Sequence, residues 1–440
     1  MIEIIAVGGY NEVGKNCTAI KIDNQVILMD LGLHLDSYIS YTEDEDLVAI
    51  DPDELMKVGA VPNISVLEGW KDKVKLIIPT HAHLDHVGAI PYLGNKFDAP
   101  ILCTPFTAAV LKTILDDEKL KIKNKIKILN VNSSYKLSDD VTIEFINMTH
   151  STPQTVMVAL HTKYGIILYA NDFKFDNFPV LGKKPNFERL KEIKGKTLVL
   201  ICDSTYAGEH KKTPSESVAK QMLKDVLLGT NSKGKAILIT TFSSHLARLK
   251  SIIKYGKILD RKIVFLGRSL AKYVKAGEEA GLINFSKDVE IVKYGSKIKK
   301  KLKEIDKKRK KYLLVVTGHQ GEKKATLSKI VREVFPFKLN PEDHVIFSCT
   351  VIPSEINIEH RRILEEQLKK YHVRTFRDIH VSGHAAREDL RDLINLVKPK
   401  HIIPAHGNLK MRSALADLAY EMGYDKEFVH IVSDSKKISI

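Results

Sequence analysis

The chain is expected to be an α/β protein in which one domain is inserted into another, and three textures along the sequence predict this. The first 200 residues alternate short β-rich runs with turn-rich loops and few long helices, which suggests sheets packed together with helices outside. From about residue 213, strands alternate with amphipathic helices, the pattern of a parallel sheet covered by crossover helices. After about residue 375 strand patterning resumes, and its polar tip at His406 resembles those of the first 200 residues. The expected division is therefore a first domain formed by 1–206 and 377–440 and interrupted by a second over 207–376.

Each element rests on a local signal. Gln25–Met29, Lys75–Pro79, Val141–Phe145 and Gly165–Tyr169 are apolar runs of strand length bounded by turn residues. Val87–Tyr92 looks like the start of a helix. In the middle segment Ser215–Leu228 and His245–Tyr255 have helical periodicity, while Ala236–Thr241 and Lys262–Leu266 are continuous apolar strands. Residues 293–311 carry Lys297, Lys299, Lys300, Lys301, Lys303, Lys307, Lys308, Arg309, Lys310 and Lys311 against only Glu304 and Asp306; such a run is a solvated helix face or a surface for a nucleic-acid backbone.

A length of 440 residues suits two well-packed domains, and a hydrophobic fraction of 44% suits a globular one. The formal charge of +15, with a pI near 9.3, points to an anionic partner, nucleic acid above all, although a Lys-rich surface alone would give the same balance. No signal-peptide pattern and no bilayer-length apolar run is present. Cys17, Cys103, Cys202 and Cys349 are scattered without a Cys-x-x-Cys pair, which argues against a disulfide framework or a thiolate zinc site. A reducing cytoplasm and no membrane partner are expected.

The most telling stretch is Thr80-His81-Ala82-His83-Leu84-Asp85-His86, at the turn between an expected strand and helix. Four metal-competent side chains within six residues serve no purely structural need. The imidazoles at i and i+2 can hold one divalent ion, while Asp85 and His86 turn toward a second. Three further candidates end apolar strands, where a sheet-based site places its ligands: His150, Asp172 and His406. Asp30, after Val26–Met29, can orient imidazoles by hydrogen bonding.

With these residues in order, joined by Asp203 in Cys202-Asp203-Ser204-Thr205 and His384 in Ser382-Gly383-His384-Ala385, the chain resembles the metallo-β-lactamase superfamily, and within it the β-CASP nucleases, over essentially its full length. Gly8–Asn16 and Thr317–Glu322 look most like the ribonuclease J family, in its compact archaeal-type form; bacterial members continue into a further domain, where here only residues 407–440 follow His406. The resemblance implies an αββα metallo-β-lactamase core carrying an inserted β-CASP α/β domain, with RNA between them. It implies two Zn2+ ions per chain, one on His81, His83 and His150, the other on Asp85, His86 and His406, with Asp172 bridging. Metal-activated water would be the nucleophile. Among the catalytic residues Asp203, His384 and Asp85, His384 would give the leaving ribose oxygen its proton and Asp203 would orient that imidazole. A His at position 406 is associated in this family with RNA rather than DNA.

The expected activity is 5′-to-3′ exonucleolytic hydrolysis of RNA, best on 5′-monophosphorylated ends, in RNA decay and maturation. The rival readings are an endoribonuclease of the 3′-end processing type, a small-molecule metallo-hydrolase of the same superfamily, and an inactive RNA-binding scaffold. Single-stranded RNA is the expected partner, with a homodimer among the expected assemblies. For RNA phosphate the expected contacts are Ser243, Ser244, Arg268, Ser269 and Gln320, which sit at strand ends where amides and hydroxyls cradle anions, together with Ser382, Gly383 and His384.

Overall fold

The computed structural model describes residues 1–44 and 50–440. Internal contacts divide them into two units, Met1–Asn177 with Lys183–Thr213 and Ser382–Ile440, and Phe178–Gly182 with Pro214–Val381.

In the first unit two sheets face each other. One has seven strands, in the order Lys437–Ser439, Ile2–Gly8, Cys17–Ile22, Gln25–Met29, Val74–Ile78, Ile101–Cys103 and Ile126–Ile128. The other has six, in the order His401–Ala405, Thr197–Asp203, Gly165–Ala170, Val156–Thr162, Val141–Asn147 and Ser133–Lys136. Period-two alternation sorts the side chains of the second sheet between two cores. Ile143, Phe145, Val158, Leu160, Ile167, Tyr169, Val199, Ile201 and Ile403 meet Ile4, Ile20, Ile27, Leu76 and Ile78 between the sheets. Their chain neighbours Ile146, Met157, Ala159, Leu168, Leu200 and Ile402 face the opposite way and are covered by Leu390, Leu393, Ile394, Leu415 and Leu418, from the helices Arg387–Val397 and Leu409–Glu421. Each of these strands is buried on both faces, which is why it reads as a continuous apolar run. This is the αββα arrangement.

The second unit is a six-stranded parallel sheet in the order Val289–Val292, Lys262–Leu266, Tyr312–Val316, Ile237–Thr240, His344–Phe347 and Arg374–Phe376. Crossover helices Leu246–Ile258, Arg268–Glu279 and Gly295–Asp306 connect its strands. Arg248 is fully buried there, donating to both oxygens of Glu216 at 2.6 and 2.9 Å and to the carbonyls of Ser348 and Ile379. The lysine-rich segment forms the helix Gly295–Asp306, which buries Ile298, Leu302 and Ile305 and leaves Lys297, Lys299, Lys300 and Lys303 exposed.

One local expectation needs correction. The helix expected to start at Val87 begins earlier, at Leu84, with His83 as its N-cap, and breaks after Val87 into a second short helix, Ile90–Leu93. Pro91 in the first turn of that second helix marks the break, and a Cβ on Gly88 would come within 2.4 Å of the Leu84 carbonyl oxygen.

Candidate active site and metal centre

The ends of six elements of the first unit bring the candidate ligands together. Strand Val74–Ile78 runs into His81, His83, Asp85 and His86; strand Val141–Asn147 precedes His150; strand Gly165–Ala170 precedes Asp172; strand Thr197–Asp203 ends on Asp203; and strand His401–Ala405 precedes His406. His384 sits just before the helix Arg387–Val397. Two four-donor groups result, His81, His83, His150 and Asp172, and Asp85, His86, Asp172 and His406, beside a three-donor group of Asp203, His384 and His406, each with donor atoms within 4.8 Å of one another. Asp172 belongs to both, with Oδ2 3.5 Å from His81 Nε2 and from His150 Nε2, and Oδ1 3.2 Å from His86 Nε2 and 3.5 Å from His406 Nε2.

The other ring nitrogens are occupied in ways that aim the free ones. His86 Nδ1 lies 2.8 Å from Asp30 Oδ2, His406 Nδ1 2.7 Å from Asn16 Oδ1, and His150 Nδ1 2.8 Å from the Gly383 carbonyl oxygen. Each partner is an acceptor, so each imidazole donates from Nδ1 and turns Nε2 inward. Asp30 is itself held by the backbone N–H and hydroxyl of Thr80, at 2.8 and 2.9 Å, and by the hydroxyl of Tyr169 at 3.0 Å.

Whether divalent ions suit this centre can be judged from its own atoms. His83 Nδ1 lies 3.0 Å from His81 Nε2 and 3.1 Å from His150 Nε2. Burial keeps these rings neutral: it lowers His83 to about 4 and takes His81 and His150 well below the usual histidine value. A neutral His83 can place at most one proton among these three nitrogens, so at least two lone pairs converge on one point. In the second group burial also opposes charge on His86, yet the carboxylates of Asp172, Asp30 and Asp85 hold its proton well above the usual value, a proton that a divalent cation would replace. Asp172 Oδ1 is buried with no hydrogen-bond partner. The donor set is imidazole and carboxylate, as zinc and similar ions prefer.

Backbone conformation singles out three of the same residues. Asp30, Asp172 and His406 have φ of 60°, 49° and 53°, the left-handed region that non-glycine residues seldom adopt. Two glycines carry close approaches at the centre. A Cβ on Gly32 would lie 1.7 Å from the Asp85 carbonyl oxygen, and one on Gly383 would lie 2.8 Å from His150 Nδ1.

His384 belongs to neither four-donor group. Its Nδ1 is 2.8 Å from Asp203 Oδ2, its Nε2 is 3.9 Å from Asp172 Oδ2, and its ring stacks 5.6 Å from that of His406. Burial works against its charge, but Asp203, Asp172 and Asp85 outweigh it and raise the imidazole to about 9. Asp203 Oδ1 accepts the backbone N–H and hydroxyl of Thr205 at 2.8 and 2.6 Å. The result is a half-open imidazole beside the donor groups, oriented by a buried carboxylate.

Of the expected phosphate contacts, Ser382 and Gly383 lie in the His384 loop, where the Ser382 hydroxyl accepts the His384 backbone N–H at 3.0 Å. Those of the second unit divide. Ser243 and Ser269 have hydroxyls 3.0 Å apart, and Arg268, exposed in the first turn of the helix Arg268–Glu279, has no carboxylate partner among the described residues. Ser244 is buried. Gln320 is buried too, and its amide is committed within its own unit, donating to the Thr350 carbonyl at 3.1 Å and accepting the Ile352 N–H at 3.0 Å.

Asn16, left without a role at the centre by the sequence reading, braces the group of Asp85, His86, Asp172 and His406. Its Oδ1 accepts from His406, its Nδ2 lies 3.0 Å from His86 Nε2 and donates to the Asp85 carbonyl, and Asn171 donates to it in turn at 3.2 Å. Its place at the end of Gly8–Asn16 was the available signal.

Comparison with known proteins agrees along the whole length. Family models match in three stretches: the metallo-beta-lactamase superfamily over residues 10–224, the ribonuclease J beta-CASP domain over 234–364, and the Zn-dependent metallo-hydrolase RNA specificity domain over 370–432. The chain is 41% identical over 442 residues to ribonuclease J of Methanocaldococcus jannaschii, covering 100% of this chain and 98% of that one. To ribonuclease J of Pyrococcus abyssi it is 40% identical over 427 residues, covering 96% and 94%. A crystal structure of a protein of unknown function from Enterococcus faecalis V583 matches with a TM-score of 0.67 at 16% identity over 99% of both chains, a likeness of fold alone. With two sheets converging on paired donor groups and relatives matched from end to end, the chain belongs to the ribonuclease J family of metal-dependent ribonucleases.

Proposed function

We propose that this chain hydrolyses RNA from the 5′ end, releasing mononucleotides, with 5′-monophosphorylated RNA as its preferred substrate and two zinc ions as its cofactor, in RNA decay and maturation in the cytoplasm. The observation that carries the reading is the pair of donor groups sharing Asp172, with the His384–Asp203 pair beside them.

His81, His83 and His150 would hold one ion and Asp85, His86 and His406 the other, with Asp172 common to both. When bound, such ions lower the pKa of water toward neutrality and offset charge on phosphoryl oxygens. The remaining work falls to the chain. Asp85, whose side chain is 20% exposed against 2% for Asp172, is the carboxylate best placed to face incoming water. The charged His384 ring carries at Nε2 the proton that the leaving ribose oxygen needs, while its Nδ1–H donates to Asp203, which orients the ring and favours its charged form. Ser382 and Gly383, next to the acid, would flank the scissile phosphate.

A 5′-end preference is supported by the second unit. The helix Arg268–Glu279 begins at Gly267 with no side-chain cap, leaving its first N–H groups for a ligand, and Ser243, Ser269 and Arg268 gather there. A cluster of that make suits a single phosphate, whereas a triphosphate needs more counter-charge.

The deciding experiment digests one RNA labelled in turn at each end, as 5′-monophosphate, 5′-triphosphate and circle. Mononucleotide release from the monophosphate, with little from the other two, is the expected result. Internal cleavage of linear and circular RNA alike, with no mononucleotides, would sink the exonuclease reading in favour of an endonuclease.

A further inference from the structure

Behind the His384 loop the first unit has a concavity of about 520 Å³ that shares no residue with the donor groups. Its volume is that of a small-molecule site. Phe175 and Phe187 form its aromatic wall as a tilted pair with centroids 4.9 Å apart, each half-buried, Phe175 resting on the core beneath.

The polar groups around that wall are of three kinds. Lys194 is exposed and has no ion-pair partner among the described residues, whereas Lys212 is matched by Asp392 at 2.6 Å. Asn177 and Asn395, also lining the concavity, are exposed amides that make no hydrogen bonds among the described residues. Asp389 and Thr213 are buried in the lining. An aromatic surface for a base, amides for its edge and an uncommitted ammonium for a phosphate together make up the recognition chemistry of one nucleotide.

We propose that this concavity is a nucleotide subsite distinct from the metal centre, taking one nucleotide unit with its base against Phe175 and Phe187 and its phosphate at Lys194. The unit is either a free nucleoside monophosphate or one nucleotide of an RNA strand. The lining is tied to the catalytic loop: the Thr213 hydroxyl donates to the His384 carbonyl at 2.6 Å, and Asp389 Oδ2 accepts the N–H groups of Thr213 and Ala386 at 2.8 and 3.2 Å. A nucleotide seated here would therefore lie one hydrogen bond from the backbone of the residue assigned as the acid.

Photo-crosslinking of the full-length His384→Ala chain, followed by mass-spectrometric mapping of the labelled peptides, tests the assignment. Two probes are used, 8-azidoadenosine 5′-monophosphate and an oligoribonucleotide carrying the same base. Label within 173–194 or 387–396 supports the subsite; label from the free nucleotide identifies a mononucleotide site, and label from the oligonucleotide alone identifies a subsite for the strand. The exposed change Lys194→Glu should lower that label roughly tenfold, the scale of losing one charge-assisted contact, and leave label near 80–86 unchanged. No label in either segment, or label indifferent to Lys194→Glu, overturns the proposal. Because binding is read in a chain disabled for cleavage, failure of the subsite and failure of the ribonuclease mechanism are separately visible.

Discussion

Replacing His384 with alanine separates the acid from the metal centre. The imidazole lies outside both four-donor groups, so the two metal sites keep every donor. Asp203 keeps the two Thr205 donors on Oδ1 and loses one partner on Oδ2, which costs about 1–3 kcal/mol of stability for a buried carboxylate oxygen left unpaired. The missing proton donor costs far more in rate: general acid catalysis contributes roughly 10²- to 10⁴-fold, or about 3–5.5 kcal/mol of barrier. The expected outcome is a folded protein with about two zinc ions per chain, near-normal RNA affinity and a turnover lower by two to four orders of magnitude. Elemental analysis, an RNA-binding titration and single-turnover cleavage read the three quantities. If metal content fell with turnover, His384 would be a ligand, as its closeness to Asp203 and His406 permits, and the acid assignment would be refuted.

Further consequences follow from the same geometry. Asn16→Ala removes the acceptor that orients His406 and the amide beside His86; metal affinity measured against a competing chelator should fall about 10- to 100-fold, and an unchanged affinity would strip Asn16 of that role. Gly32→Ala places a methyl group on the Asp85 carbonyl, so the loop must shift; loss of bound metal with helical content retained by circular dichroism is expected, and full metal occupancy would show that the contact relaxes freely. Away from the site, Glu144 is disfavoured as an anion by burial, yet its bonds to His161 and Arg189 bring it down from 4.5 to about 2. A depressed carboxylate contributes stability that is complete above its unfolded value of 4.5 and lost as pH falls through about 2. That difference corresponds to about 3 kcal/mol, which partial solvent exposure of Arg189 reduces to about 1–2 kcal/mol. Thermal melts between pH 5 and 2 should thus fall more steeply for the natural chain than for Glu144→Gln, and parallel curves would remove Glu144 from the account.

Much of the first unit was legible because its strands are buried on both faces. Gln25–Met29 and Gly165–Ala170 have no polar interruption, and their ends announce Asp30 and Asp172. The short helix Leu84–Val87 escaped because its only signals are a histidine at the N-cap and four residues of helix, too few for a period to emerge. Asn16 escaped for a different reason. It reaches His86 across 70 positions and His406 across 390, and no local pattern encodes such a pairing. Gln320 shows the reverse case: its neighbourhood of Gly318 and Gly321 looks like an anion cradle, while its amide is spent bracing the segment at Thr350 and Ile352.

The strand Lys437–Ser439 pairs with Ile2–Gly8, and His406 is oriented by Asn16, so segments far apart in sequence close one sheet and one candidate metal centre together. During synthesis the strand Ile2–Gly8 therefore waits for a partner made far later, and a growing chain has neither His384 nor His406 until the second unit, which ends at Val381, has been made. A copy stopped before residue 384 has no complete pair of donor groups and no His384. An RNA-cutting enzyme born beside its own messenger thus lacks its full donor set while most of both units is being made, an order imposed by topology with no inhibitor required.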